Sequence, residues 1–110
     1  NNEKLNTVYE NIGIDIKTTS NASVYSVLDG VISSITFIRD YGNVIIINHG
    51  GGYYTVYSNV ENILVSENEY INSSYKIANV SRNQSGKYIF HFEVWGNQKK
   101  LNPQSWLRKK

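Results

Sequence analysis

Ile89-Phe90-His91-Phe92-Glu93-Val94 decides how this chain folds. The stretch alternates with period two. Tyr88, Phe90, Phe92 and Val94 point to one side, and Lys87, Ile89, His91 and Glu93 to the other. The first set is a core face. Two earlier stretches behave in the same way. In Asn11-Ile12-Gly13-Ile14-Asp15-Ile16-Lys17, the three isoleucines face one way and Asn11, Gly13, Asp15 and Lys17 the other. In the stretch from Tyr53 to Asn59, alternation groups Tyr53, Thr55, Tyr57 and Asn59 opposite Tyr54, Val56 and Ser58. Each strand therefore offers a face with chemistry on it: Asn11 with Asp15, Tyr57 with Asn59, and Ile89 with His91.

The pattern continues outward. Residues 23–28 read as a strand, Asp29-Gly30 as a hairpin turn, and Val31 to Ile38 as the return strand. A turn at Asp40-Tyr41-Gly42-Asn43 leads into Val44 to Asn48, whose near-continuous apolar run suits a central strand. Gly50-Gly51-Gly52 turns the chain into Tyr53. Ile63 to Val65 and Lys76 to Val80 read as shorter strands, and Asn102-Pro103 ends the extended chain before Trp106 and Leu107, which are expected to pin it to the core. Many short strands with turn residues between them predict an all-β, antiparallel sandwich or open barrel. The 110 residues suffice for one domain and not for two.

Composition excludes several function classes. A net charge of +2 gives no electrostatic footprint for nucleic acid, and the terminal Arg108-Lys109-Lys110 reads as a solvated tail. The absence of cysteine excludes disulfides and thiolate metal sites. Gly50-Gly51-Gly52 lacks the helix pattern and Lys-Ser/Thr of a phosphate loop. No run is apolar and long enough to cross a membrane as a helix. No signal peptide and no methionine are present, so the chain is expected to be a fragment of a longer protein whose targeting signals lie outside it.

Asn11-Ile12-Gly13-Ile14-Asp15 resembles an H-x-G-x-D metal motif with asparagine for histidine. Ile89-Phe90-His91 resembles H-x-H with its first histidine replaced, and Tyr57-Ser58-Asn59 stands where such enzymes have Y-x-H. With Asp29-Gly30-Val31, Tyr41-Gly42-Asn43, His49-Gly50, Thr55-Val56-Tyr57 and Asn102-Pro103, these segments resemble the LytM-type (lysostaphin-like) peptidases over about residues 11–107. In detail, Thr55-Val56-Tyr57-Ser58-Asn59, His91-Phe92-Glu93-Val94-Trp95 and the ending 101–107 look closest to the EnvC-type murein hydrolase activators. The expected domain is a single degenerate LytM domain over 1–110.

The resemblance puts zinc-ligand positions at Asn11, Asp15 and His91, and the assisting histidines at Asn59 and Ile89. An asparagine amide oxygen is a poor donor to zinc. Two good ligands are fewer than a catalytic site uses, and isoleucine neither moves a proton nor donates a hydrogen bond. The reading is therefore no catalytic residues, no cofactor, and Asp15 and His91 as vestigial ligand positions, whose alternative to zinc is a direct contact across strands. For Ile89, cover by a neighbouring loop stands against an apolar contact for an incoming helix.

By resemblance, the groove formed by Asn11, Asp15, Tyr57, Asn59, Ile89 and His91 binds a partner, an N-acetylmuramoyl-L-alanine amidase of the periplasm or cell envelope, and activates it. Capture of a regulatory helix that blocks the amidase is the implied mechanism. A cell-wall-binding or scaffold module, touching peptidoglycan, and a zinc peptidase with residual activity are the alternatives.

Overall fold

The computed structural model describes residues 11–96, with side chains from Gly13 onward. No helix occurs among the described residues; eight strands form one antiparallel sheet. They are β1 (Asn11–Lys17), β2 (Ser23–Tyr25), β3 (Gly30–Ile38), β4 (Gly42–Gly50), β5 (Tyr53–Glu61), β6 (Tyr70–Ile71), β7 (Lys76–Val80) and β8 (Ile89–Trp95). The main path runs β1-β8-β5-β4-β3-β6, while β7 pairs with the end of β5 and carries β2 on its other side. The all-β expectation is borne out.

Alternation decides which face is covered. Phe90, Phe92 and Val94 of β8 join Ile45 and Ile47 of β4 and Ile32 of β3 in one buried cluster, which Val24 of β2 and Ile77, Ala78 and Val80 of β7 complete. The β2–β7 ribbon is thus the lid of the core. Each large aliphatic or aromatic side chain moved out of water here contributes roughly 1.5–3 kcal/mol before chain entropy is set against it. Ile14 and Ile16 pack against this cluster from β1, as expected. The side chain of Ile12, and the expectation for Trp106 and Leu107, fall outside the described residues.

Two local expectations are corrected. Asp29-Gly30 is not a hairpin turn, because β2 pairs with β7 and β3 pairs with β4 and β6. Neither residue takes the positive φ that a tight hairpin of this type needs. Gly30 is required for a different reason: a Cβ there would lie 2.6 Å from the Asn48 carbonyl oxygen. Ile63 to Val65 form no strand; only Leu64 N–H reaches across, to the Ile77 carbonyl at 2.9 Å, and the short strand lies later, at β6. The polar stretch 66–70 hid it, since a two-residue strand has no period to read.

Candidate functional site

The antiparallel register of β1 and β8 sets Asp15 directly opposite His91. Both stand on the sheet face away from the core, and His91 Nδ1 lies 2.6 Å from Asp15 Oδ1. On the other side of the ring, Nε2 lies 2.8 Å from Glu93 Oε2. Two carboxylates on two ring nitrogens are both satisfied only by an imidazolium, which donates from each nitrogen. Burial of the ring opposes its charge. The hydrogen bonds to Asp15 and Glu93, with the charges of both, outweigh that and raise the His91 pKa. The other Glu93 oxygen accepts from Trp95 Nε1–H at 2.8 Å. Asp15, His91, Glu93 and Trp95 therefore form one hydrogen-bonded chain along the outer face.

Asn59 reaches this face, but not by alternation. Ser58 pairs with Val44 and Val60 with Asn43, so Asn59 is the extra residue of a β-bulge, with φ of 68°. It lines the same cleft as Asp15, Ile89 and His91. Its Nδ2 donates to the Ile89 carbonyl at 2.7 Å and the Ser81 carbonyl at 2.9 Å, so both amide hydrogens are committed within the fold. Asparagine suits the position, since it tolerates the left-handed region better than most residues.

Tyr57 is the correction that follows. It was expected in the groove, yet it is 1% exposed, with its ring 5.4 Å from that of Phe92 and 6.1 Å from that of Phe90. Strict alternation had paired it with Asn59, and the bulge breaks that pairing. The Tyr57 hydroxyl accepts from Val27 N–H at 3.2 Å and lies 2.8 Å from Thr55 Oγ1. Thr55 Oγ1 is in turn 2.7 Å from His49 Nε2, and His49 Nδ1 is 2.7 Å from the Asp29 carbonyl oxygen. Nδ1–H must donate to that carbonyl, leaving Nε2 as an acceptor for the Thr55 hydroxyl. Burial lowers the His49 pKa, in keeping with a neutral ring. This chain of groups belongs to the core side and holds the Asp29 corner.

The outer face has two hollows. A polar cleft of about 690 Å³ is lined by Asp15, Asp40, Asn59, Arg82, Ile89 and His91 among others, and half-buried Ile89 is one of its walls. Beside it an apolar trough of about 520 Å³ is lined by Ile38, Val44, Ile46, Tyr54, Val56 and Trp95, with Glu93 at its edge. Tyr41 borders both, and its ring stands 5.8 Å from that of His91. The sequence places Glu93 beside His91 without giving it a role, and it leaves the trough unseen. The available signal was Tyr54 and Val56 sharing a face with no core partner assigned to them.

Zinc does not fit the donors that are described. Asp15 Oδ1 and His91 Nδ1 face one another at hydrogen-bond distance, and the second ring nitrogen is held by Glu93. Asn59 has no nitrogen lone pair to offer, and Ile89 none of any kind. Among the described residues no group of three His, Cys, Asp or Glu is placed to hold a metal ion. The Asn11 side chain lies outside the described residues.

The model of Peptidase family M23 matches residues 9–103. The chain belongs to peptidase family M23. Within this M23 framework, the murein hydrolase activator NlpD of Escherichia coli is 32% identical over 98 residues, 88% of this chain and 26% of that protein. An uncharacterized metalloprotease of Buchnera aphidicola is 33% identical over 96 residues, 84% of this chain and 25% of that protein. The chain thus spans about a quarter of the length of these relatives. A zinc-containing peptidase from Vibrio cholerae superposes with a TM-score of 0.72 at 30% identity, covering 81% of this chain and 28% of that one. The catalytic domain of lysostaphin from Staphylococcus simulans gives 0.74 at 17% identity, covering 87% and 77%, a likeness of fold alone. The resemblance to LytM-type domains and to murein hydrolase activators is borne out. An activator and a metalloprotease match at nearly equal identity, so the residues of the site must separate the two roles.

Proposed function

We propose that this M23 domain is non-catalytic and activates a peptidoglycan amidase, docking it on the outer face of the sheet. The observation that carries the reading is the Asp15–His91 contact. The two surviving ligand-type side chains hydrogen-bond each other, while Asn59 is committed to the Ser81 and Ile89 carbonyls and Ile89 offers no donor atom. Water activation at zinc needs an open coordination position on a metal held by about three protein ligands, and a base to take the proton. This face supplies neither, yet it keeps a concave surface with Ile89 among its apolar walls. The likeness to NlpD supports a role in controlling murein hydrolysis. The lipoproteins among its relatives, such as YgeR of Escherichia coli, support a place in the cell envelope.

Activation in this reading is a population shift: the domain binds the open amidase more tightly than the closed one. Of the groove residues, Asp15, Asn59, Ile89 and His91 line one cleft, Tyr57 is withdrawn to the core, and the Asn11 side chain lies outside the described residues.

The test is dye release from labelled peptidoglycan by each N-acetylmuramoyl-L-alanine amidase encoded in the same genome, with and without this chain. Stimulation is expected, and it should fall in a stably folded Ile89→Asp. Normal stimulation by that variant would place the contact elsewhere. Binding to peptidoglycan with no stimulation of any amidase would favour a wall-binding scaffold. Dye release by the chain alone would restore the peptidase.

A further inference from the structure

Glu93 has no part in the reading above, yet its side chain hydrogen-bonds to a wall of each hollow. Its side chain is 14% exposed, and each carboxylate oxygen has its own donor: Oε2 faces His91 Nε2 at 2.8 Å, Oε1 faces Trp95 Nε1 at 2.8 Å. His91 lines the polar cleft and Trp95 the apolar trough. None of this supports the core, which β8 reaches from its other face through Phe90, Phe92 and Val94. Space for the arrangement is provided by Gly13, where a Cβ would come within 3.0 Å of Glu93 Cγ.

We propose that Glu93 is the positioning residue of the outer face, fixing the His91 ring and the Trp95 indole relative to each other so that one protein partner reads cleft and trough together. The partner clause rests on the activator reading; the positioning clause does not. A partner suited to both hollows is a segment with an apolar face for Tyr54, Val56 and Trp95 and a polar edge for Asp15 and His91. Such a segment gains from walls that are already fixed, because ordering them on binding would cost affinity. A carboxylate with both oxygens engaged also presents no unmet acceptor to the apolar side of that segment.

Glutamine separates position from charge. Its amide oxygen can accept from Trp95, and its NH₂ can donate to His91 Nε2 once the neutral ring keeps its proton on Nδ1 for Asp15. Glu93→Gln should therefore retain the geometry, whereas Glu93→Ala loses both bonds. The experiment compares the 110-residue chain with Glu93→Ala, Glu93→Gln and Trp95→Phe. The Trp95 indole N–H resonance is assigned by its loss in Trp95→Phe. Its exchange with solvent is then measured, together with the concentration of chain that half-maximally stimulates the amidase.

In Glu93→Ala the indole N–H is expected to exchange about tenfold faster and half-maximal stimulation to need about tenfold more protein, the worth of one charge-assisted hydrogen bond. Glu93→Gln should stay near the parent in both. Parent-like indole exchange in Glu93→Ala overturns the positioning role, as does a Glu93→Gln whose indole is as loose as that of Glu93→Ala. If Glu93→Ala does not fold, Glu93 serves stability and the proposal falls unless Glu93→Gln keeps the indole bond and Trp95→Phe, folded, loses stimulation. A parent chain that stimulates no amidase sinks the activator reading and the partner clause, while indole exchange still decides whether Glu93 positions Trp95.

Discussion

Gly13 lies so close to His91 that one added methyl group would sit 2.8 Å from ring Cε1 and 2.9 Å from Nε2. Its backbone is not in the left-handed region, so only this approach demands glycine. Gly13→Ala is expected to displace the ring and break its bond to Glu93 at a cost of about 1–3 kcal/mol, as for other overpacked sites. A urea melt measures the cost and histidine ring nitrogen shifts report the displacement. An unchanged ring signal would show that the neighbouring strand yields instead.

The domain is expected to retain no stoichiometric zinc after dialysis, and chelator should leave its melting temperature unchanged. A ligand held by the folded state alone would raise that temperature. Elemental analysis and a zinc titration followed by melting check this. One tightly held zinc dependent on Asp15 and His91 would overturn the non-catalytic assignment.

Stability should depend on pH through two histidines of opposite sign. The folded pKa of His91 is raised above its usual 6.5. Its contribution is fully present below 6.5 and is lost as pH rises through the higher folded value. The folded pKa of His49 is lowered from 6.5. Its contribution is present above 6.5 and is lost as pH falls through the lower folded value. Urea melts from about pH 5 to 9 should therefore lose their alkaline fall in His91→Gln and their acid fall in His49→Gln. The same slope change in both variants would contradict the assignment.

Phe92 is fully buried, and Phe92→Ala should cost on the order of 3–5 kcal/mol. Tyr57→Phe is a finer probe. It leaves Thr55 and the Val27 N–H short of a partner and should cost about 1–3 kcal/mol. It should leave amidase stimulation unchanged, since Tyr57 is absent from both hollows. Denaturant midpoints measure both variants. A stable Tyr57→Phe that fails to stimulate would return Tyr57 to the site.

The strands with strong alternation were legible because burial on one face imposes period two. β8 and β1 put His91 and Asp15 on the outer face in the register their residues suggest. Counting along β5 failed beyond Ser58, because a bulge adds a residue without leaving a mark in hydrophobicity. That one step separated Tyr57, which is in the core, from Asn59, which lines the cleft. Asp29-Gly30 misled for another reason: glycine there serves close approach to Asn48, and residue type alone does not separate that from a tight turn. The trough escaped notice because Ile46, Tyr54, Val56 and Trp95 come from three strands and become neighbours only through pairing.

The bulge at Asn59 makes that residue removable. Ser58 faces outward opposite His91, and Val60 faces inward opposite Val80, so the two are already in phase with one another. A chain shortened by Asn59 alone should keep the residue pairing of β5 with β4, β7 and β8, which cross-strand amide contacts by NMR would show, and should lose the amide that bridges Ser81 and Ile89 together with the carbonyl that accepts from Ser81 N–H. The cleft can therefore be re-cut by changing the length of one strand, with no substitution in the core beneath it.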